Sequence, residues 1–220
     1  MLLLGGYNNE GEKGMYKNIV LDFGHGGIDD NGMYTTAPSK MFKYANGKTA
    51  YEGVINRQIG GIIRSYFRLH EQKYNIVTTV NENDSRDLSL SYRVRVANRY
   101  NPSETIFISI HSNASISHKG RGFEIYTTRG LTKSDELASC IGRNVKKLYD
   151  EIDLKLRFDF VDGDLDKEVD FYVLRKTKCP AVLLECLFFD NIDDYKQLNS
   201  AEFQRDFAWH VYQGILEFLR

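Results

Sequence analysis

The sequence predicts an α/β fold: a single domain with a mostly parallel central sheet of about six strands, flanked by helices on both faces. Two observations predict it. Strand-like and helical stretches follow one another in the order βαβαββαβα, and several strand candidates are nearly continuous in Ile, Val, Leu and Phe, as strands covered on both faces are. Length agrees, since 220 residues suffice for one core that removes roughly 70 to 75% of the unfolded surface from water.

Residues 1–16, which include GYNNEGEKG, read as a flexible N-terminal arm, and residues 17–220 as the domain proper. The first strand is NIVLDF at 18–23, stopped by the glycines of GHGG. A helical pattern at about 52–72 leads to NIVTTV at 75–80, and a second at about 88–99 leads to TIFISI at 105–110. GFEIYT at 122–127 follows, then a helix at about 133–150. DFYVL at 170–174 and AVLLEC at 181–186 are the last two strand candidates, before a helix at about 200–219. Two segments fit neither class. Residues 28–51 carry Tyr34, Phe42, Tyr44 and Tyr51 among Gly and polar residues, and 153–169 are rich in Asp. Loops of such length in a compact domain are often functional, so 28–51 is expected to border a groove; the plainer reading of its aromatics is a small satellite core.

Composition excludes several classes. A net charge of -1 gives no electrostatic case for nucleic acid or a membrane surface, and no run of about 18 apolar residues suggests a membrane span. Cys140, Cys179 and Cys186 are an odd number without a CxxC pair, so neither a disulfide framework nor a thiolate zinc site is indicated. MLLLGG lacks the basic region and the length of an export signal.

Ligands of open α/β sheets bind at the carboxyl ends of the strands. Four polar residues are expected there: His25 after the first strand, His111 in FISIHSNAS, Glu185 in AVLLECLFF, and Glu52 opening the first helix. Two imidazoles and a carboxylate converging at one point would make a three-ligand zinc site with an open fourth position. Each residue also has a plainer reading, His25 as a turn residue, His111 as a strand cap, and Glu52 as a favourable charge at a helix N-terminus. Glu185 is harder to explain structurally, because a carboxylate in an apolar strand is costly to bury unless paired, protonated or used. Cys186 must point to the opposite face from Glu185 and reads as an inert core residue. His70 and His210 read as surface or core-edge residues, and His118, in the loop SHKGRG, as solvated though near enough to approach a substrate.

At these residues the sequence resembles the zinc-dependent N-acetylmuramoyl-L-alanine amidases of the type-3 family, which cut peptidoglycan. LDFGHGG, YEGVINRQIG, LSLSYRVRVAN, IFISIHSNAS, GFEIYTT, FYVLRKTKCPAVLLEC and FFDNIDDYKQL occur in the family's order across most of residues 17–219. The resemblance implies one Zn²⁺ per chain held by His25, Glu52 and His111, with Glu185 acting on its bound water as the catalytic residue. It implies a peptidoglycan or muropeptide substrate, cleavage between the lactyl group and L-Ala, and action at the cell wall. The sequence departs from the family pattern at Phe23, at the residues after Asp29 and at Leu187, and its segment between His25 and Glu52 is longer than usual. The alternatives are a non-catalytic peptidoglycan-binding protein, a zinc peptidase or deacylase acting on another amide, and a structural protein without metal. A monomer is expected, either a phage lysis enzyme released through a membrane lesion or a bacterial autolysin without its leader.

Overall fold

The computed structural model describes residues 16–161 and 163–220. The arm expected over residues 1–16 therefore lies outside the described residues except for Tyr16, whose ring stands 5.1 Å from that of Phe218.

Strand β1 (Asn18–Phe23) is the pivot of the sheet. It pairs in parallel with β4 (Asn75–Thr78) on one side and β5 (Thr105–Asn113) on the other, and β5 pairs in parallel with β8 (Ala181–Phe188). Beyond β8 lie β6 (Glu124–Thr127), antiparallel to it, and β7 (Lys167–Glu168), parallel to β6 at the edge. The order β4-β1-β5-β8-β6-β7 gives the six strands and mostly parallel character that the sequence predicts.

The period of two along these strands sorts side chains onto two unequal faces. Ile19, Leu21 and Phe23, Ile106, Ile108 and Ile110, and Val182, Leu184 and Cys186 enter the larger core, which is closed by α1 (Glu52–His70), α3 (Lys133–Glu151) and α6 (Ala201–Leu219). Val20, Phe107 and Leu183 enter the smaller core under α2 (Leu90–Ala97) and α4 (Tyr172–Lys176). Helices thus cover both faces, as expected. None of them is long and apolar enough to cross a membrane.

The structure differs from the expected elements at three places. Residues 170–174 are not a strand: Tyr172–Lys176 form α4, Arg175 N–H bonding Phe171 C=O at 2.9 Å, and consecutive residues Val173 and Leu174 are both buried. A five-residue apolar run does not distinguish strand from helix by period. The sixth strand is the polar pair Lys167–Glu168, whose charges suit an exposed sheet edge. Residues 28–51 are not structureless either, because β2 (Met41–Lys43) and β3 (Thr49–Tyr51) form a hairpin that runs straight into α1. The third is an unforeseen helix, α5 (Ile192–Leu198), capped by the Asn191 side chain, which accepts from the Asp193 and Asp194 amides.

Candidate active site

His25, Glu52, His111 and Glu185 all reach the carboxyl ends of the central strands. His111 and Glu185 are paired neighbours on β5 and β8, on the face that carries the smaller core. Glu52 is the first residue of α1, where unpaired amides and the helix dipole favour a carboxylate, and it is 1% exposed. His25 follows β1 with φ +64°, a left-handed backbone that histidine rarely adopts. Two arginines hold that turn, Arg57 Nη1 donating to the His25 carbonyl at 2.9 Å and Arg93 Nη2 at 3.2 Å. Close packing accounts for two glycines: a Cβ on Gly24 would run into the His111 ring, and one on Gly53 into the Gly26 carbonyl.

Glu52 Oε1 lies 3.1 Å from His25 Nε2 and 3.0 Å from His111 Nδ1, and the two imidazoles meet edge to face with centroids 4.9 Å apart. Burial opposes ionisation of Glu52, yet hydrogen bonding to His111 and His25 holds its carboxyl well below the usual range. Burial outweighs the pull of Glu52 on His25 and lowers its pKa, favouring the neutral imidazole that binds metals. Glu185 is pushed the other way, well above the ordinary carboxylate range, by burial first and then by the charge of Glu52; Lys40 opposes and Glu124 adds to the rise.

The donor set fits a metal ion. One ligand atom from each of His25, Glu52 and His111 lies within 4.8 Å of the others. Glu52 Oε2 is a buried atom without a hydrogen-bond partner, having only the Lys40 ammonium 3.4 Å away, and the one close polar neighbour of buried His25 Nε2 is Glu52 Oε1. Two nitrogens and one carboxylate are a set that divalent zinc accepts with a position left open. Glu185 Oε2 is likewise buried without a partner. His25, His111, Glu185 and Lys40 open into a cleft of about 450 Å³, whose other wall is Leu88–Leu90 and Phe171–Val173. A larger cavity, about 1010 Å³, lies at the opposite end of the sheet beside Lys17, Ser103 and Pro180 and holds none of the four residues.

The other candidates fall elsewhere. Cys186 is in the larger core. His118 has an exposed side chain with Nδ1 2.8 Å from Asp190 Oδ2 and a ring centroid 4.7 Å from that of Phe42. His70 packs beside Tyr66, Trp209 and Tyr212, away from the cleft. Of the loop aromatics, Tyr44 belongs to the core and its hydroxyl donates to the Phe189 carbonyl at 2.8 Å, while the Tyr34 hydroxyl accepts the Gly53 amide at 3.0 Å.

Sequence reasoning missed the residues beneath the site. Asp22 is fully buried, accepts from Arg93 Nη1 at 2.7 Å, Thr79 Oγ1 at 2.5 Å and Ser109 Oγ at 2.6 Å, and anchors the arginine that holds His25. Its signal was visible: a charge inside the apolar run IVLDF, the same anomaly that singled out Glu185. Glu124, the cross-strand neighbour of Glu185, accepts from Arg157 and Lys167 on its Oε1, each at 2.6 Å.

A family model described as N-acetylmuramoyl-L-alanine amidase matches residues 19–217. The chain is 30% identical over 205 residues to the endolysin of Bacillus phage SPP1, covering 93% of this chain and 67% of the endolysin. Two solved structures are similar throughout. The CwlD amidase of Clostridioides difficile, solved with the GerS lipoprotein, aligns with a TM-score of 0.72 and 26% identity over 92% of this chain and 98% of its own. The catalytic domain of CwlV, an N-acetylmuramoyl-L-alanine amidase from Bacillus (Paenibacillus) polymyxa var. colistinus, aligns with a TM-score of 0.70 and 27% identity over the same two shares.

Proposed function

Because the chain belongs to the N-acetylmuramoyl-L-alanine amidase family, we propose that His25, Glu52 and His111 hold one zinc ion and that Glu185 moves the protons of peptidoglycan amide hydrolysis. The bond is the one between the lactyl group of N-acetylmuramic acid and L-Ala of the stem peptide. When bound, zinc supplies Lewis-acid polarisation of the scissile carbonyl and acidifies water. The single observation that carries the reading is the placement of Glu185, a buried carboxylate without a partner on its Oε2, paired across the sheet with His111.

Glu185 accepts a proton from the attacking water as its oxygen bonds to the carbonyl carbon, and returns that proton to the L-Ala nitrogen as the C–N bond breaks. Burial and the neighbouring Glu52 charge raise the proton affinity of the Glu185 carboxylate, which favours its taking a proton from water. Hydrogen bonding favours the ionised form of Glu52 and burial favours the neutral form of His25, the two forms that bind a metal. All four residues come from one chain, which supports a monomeric enzyme. The substrate class puts its action at the cell wall, and similarity to a phage endolysin supports a lysis role.

Metal analysis of purified protein should give about one zinc per chain, and chelation should abolish release of L-Ala amino termini from peptidoglycan, read by mass spectrometry of the digest. His111→Ala should lose both metal and activity. Full turnover with no bound transition metal would overturn the reading.

A further inference from the structure

The stretch 153–169 brings two cations to one atom beside the reacting centre. Arg157 Nε and Lys167 Nζ both donate to Glu124 Oε1, each at 2.6 Å. Glu124 Oε2 accepts from Asn113 Nδ2 at 2.6 Å and from the Tyr126 hydroxyl at 2.8 Å. The Glu124 side chain is 4% exposed, whereas those of Arg157 and Lys167 are 33% and 27% exposed. Burial works against ionised Glu124, but bonds from Lys167, Arg157 and Tyr126 hold its carboxyl below the ordinary range. One negative charge is therefore shared by two positive ones, and among the described residues neither cation is ion-paired with another carboxylate. Guanidinium and ammonium groups carry several N–H donors each, so both cations have donors beyond the one that Glu124 takes.

The sheet register aims this group at the cleft. Glu124 and Glu185 stand opposite one another on β6 and β8, which puts their side chains on one face with Cβ atoms about 5 Å apart. Lys167 pairs with Tyr126, two residues beyond Glu124, and belongs to the same face. Tyr126 packs on Phe171, ring centroids 5.5 Å apart, and Phe171 lines the cleft. Beyond Glu185, toward the sheet edge, the surface thus has an excess of positive charge. Toward α2 the cleft is lined instead by apolar Leu88 and Leu90 and by acidic Asp87. An acidic peptide leaving Glu185 is attracted to the first side and repelled by Asp87, and the second side suits the apolar faces of a sugar.

We propose that Arg157 and Lys167 form the subsite for the free carboxylate on the residue after L-Ala in the stem peptide, and so make the enzyme prefer a carboxylate there to a carboxamide. The proposal rests on the amidase reading, which places the L-Ala nitrogen at Glu185. From that nitrogen the α-carboxylate of the next residue is about 6 to 7 Å along an extended chain, a reach that matches the step from Glu185 to the cations on Glu124. Glu124 holds the two cations together, and the stretch 153–169 supplies both of them.

Two substrates test this with zinc-loaded enzyme: N-acetylmuramoyl-L-Ala-γ-D-Glu-L-Lys, and the same tripeptide with the D-Glu α-carboxylate replaced by a carboxamide. The parent should cleave the carboxylate form with kcat/KM about tenfold higher, mainly through KM, as one charged hydrogen bond implies. The preference should shrink as NaCl rises from about 0.05 to about 0.5 M. Lys167→Met leaves Arg157 on Glu124 and should cut the preference to about threefold with parental zinc content. Equal kcat/KM on the two tripeptides overturns the subsite and leaves the amidase reading standing. An undiminished preference in both Lys167→Met and Arg157→Gln also overturns it, and would give the carboxylate to Lys40. If neither variant folds, the unmutated protein decides, and a preference that salt does not change overturns the subsite. Release of L-Ala amino termini from neither tripeptide nor from peptidoglycan overturns the amidase reading, and the subsite with it.

Discussion

His25 sits at φ +64° because its surroundings leave it no alternative: its carbonyl takes bonds from Arg57 and Arg93, and Arg93 is itself tied to Asp22 and to the Phe23 carbonyl. Left-handed backbone at a non-glycine residue costs of order 1 kcal/mol or more, and such strain persists where neighbouring bonds over-determine it. Arg93→Met strips Asp22 of its buried counter-charge, a change that typically costs about 3 to 5 kcal/mol. Its pH dependence has a definite sign. Burial works against ionised Asp22, but Arg93 and the Ser109 and Thr79 hydroxyls hold its carboxyl below the ordinary value of 3.8. The folded state thus prefers the carboxylate, and the stability it contributes is complete above that value and is lost as pH falls through the lowered one. Urea unfolding should show a large gap between Arg93→Met and the parent at pH 7 that narrows toward about pH 3. A gap that does not change with pH would remove Asp22 from the explanation.

The hairpin β2–β3 follows Lys40, a residue of the cleft wall, and runs into α1 at Glu52. Its strands were not legible, because Met41–Lys43 and Thr49–Tyr51 are three residues each, too short to display a period of two. Of residues 28–51, expected to border a groove, Lys40 lines the cleft, whereas Tyr44 and Phe42 pack with the core, the plainer reading of those aromatics. The Lys40 ammonium stands 3.4 Å from Glu52 Oε2 and lines the cleft, which makes it a candidate partner for a carbonyl or carboxylate of the substrate. Lys40→Met should keep zinc and fold and raise KM about tenfold, the equivalent of one charged hydrogen bond, with a smaller change in kcat. Loss of zinc in this variant would instead mean that Lys40 serves to fasten Glu52. The edge of the sheet was equally hard to read, since DFYVL has strand composition but its last three residues lie in α4, while the real strand is a Lys–Glu pair.

At the scale of the molecule, what could be read from sequence is what buried strands make conspicuous. Runs of Ile, Val and Leu marked β1, β5 and β8, and a polar residue at the end of each such run marked the site, because the ends of parallel strands are where a fold of this class can place chemistry. Asp22 lies inside one of those runs and escaped notice, as its partners Thr79, Arg93 and Ser109 are scattered along the chain and become a unit only when β1, β5 and α2 pack. The fold thus divides the work: Asp22 and the arginines set the position of His25, the start of α1 supplies Glu52, and β8 presents Glu185 alone and desolvated. Of these assignments the role of Glu185 is the one on which the hydrolytic account stands. Glu185→Gln preserves size and removes the proton acceptor. The measurement is turnover of peptidoglycan, by release of L-Ala amino termini, in a variant shown to be folded and metal-loaded. The account predicts parental zinc content and Tm with kcat lower by about 10² to 10⁴; a folded, zinc-loaded Glu185→Gln enzyme with parental turnover would contradict it.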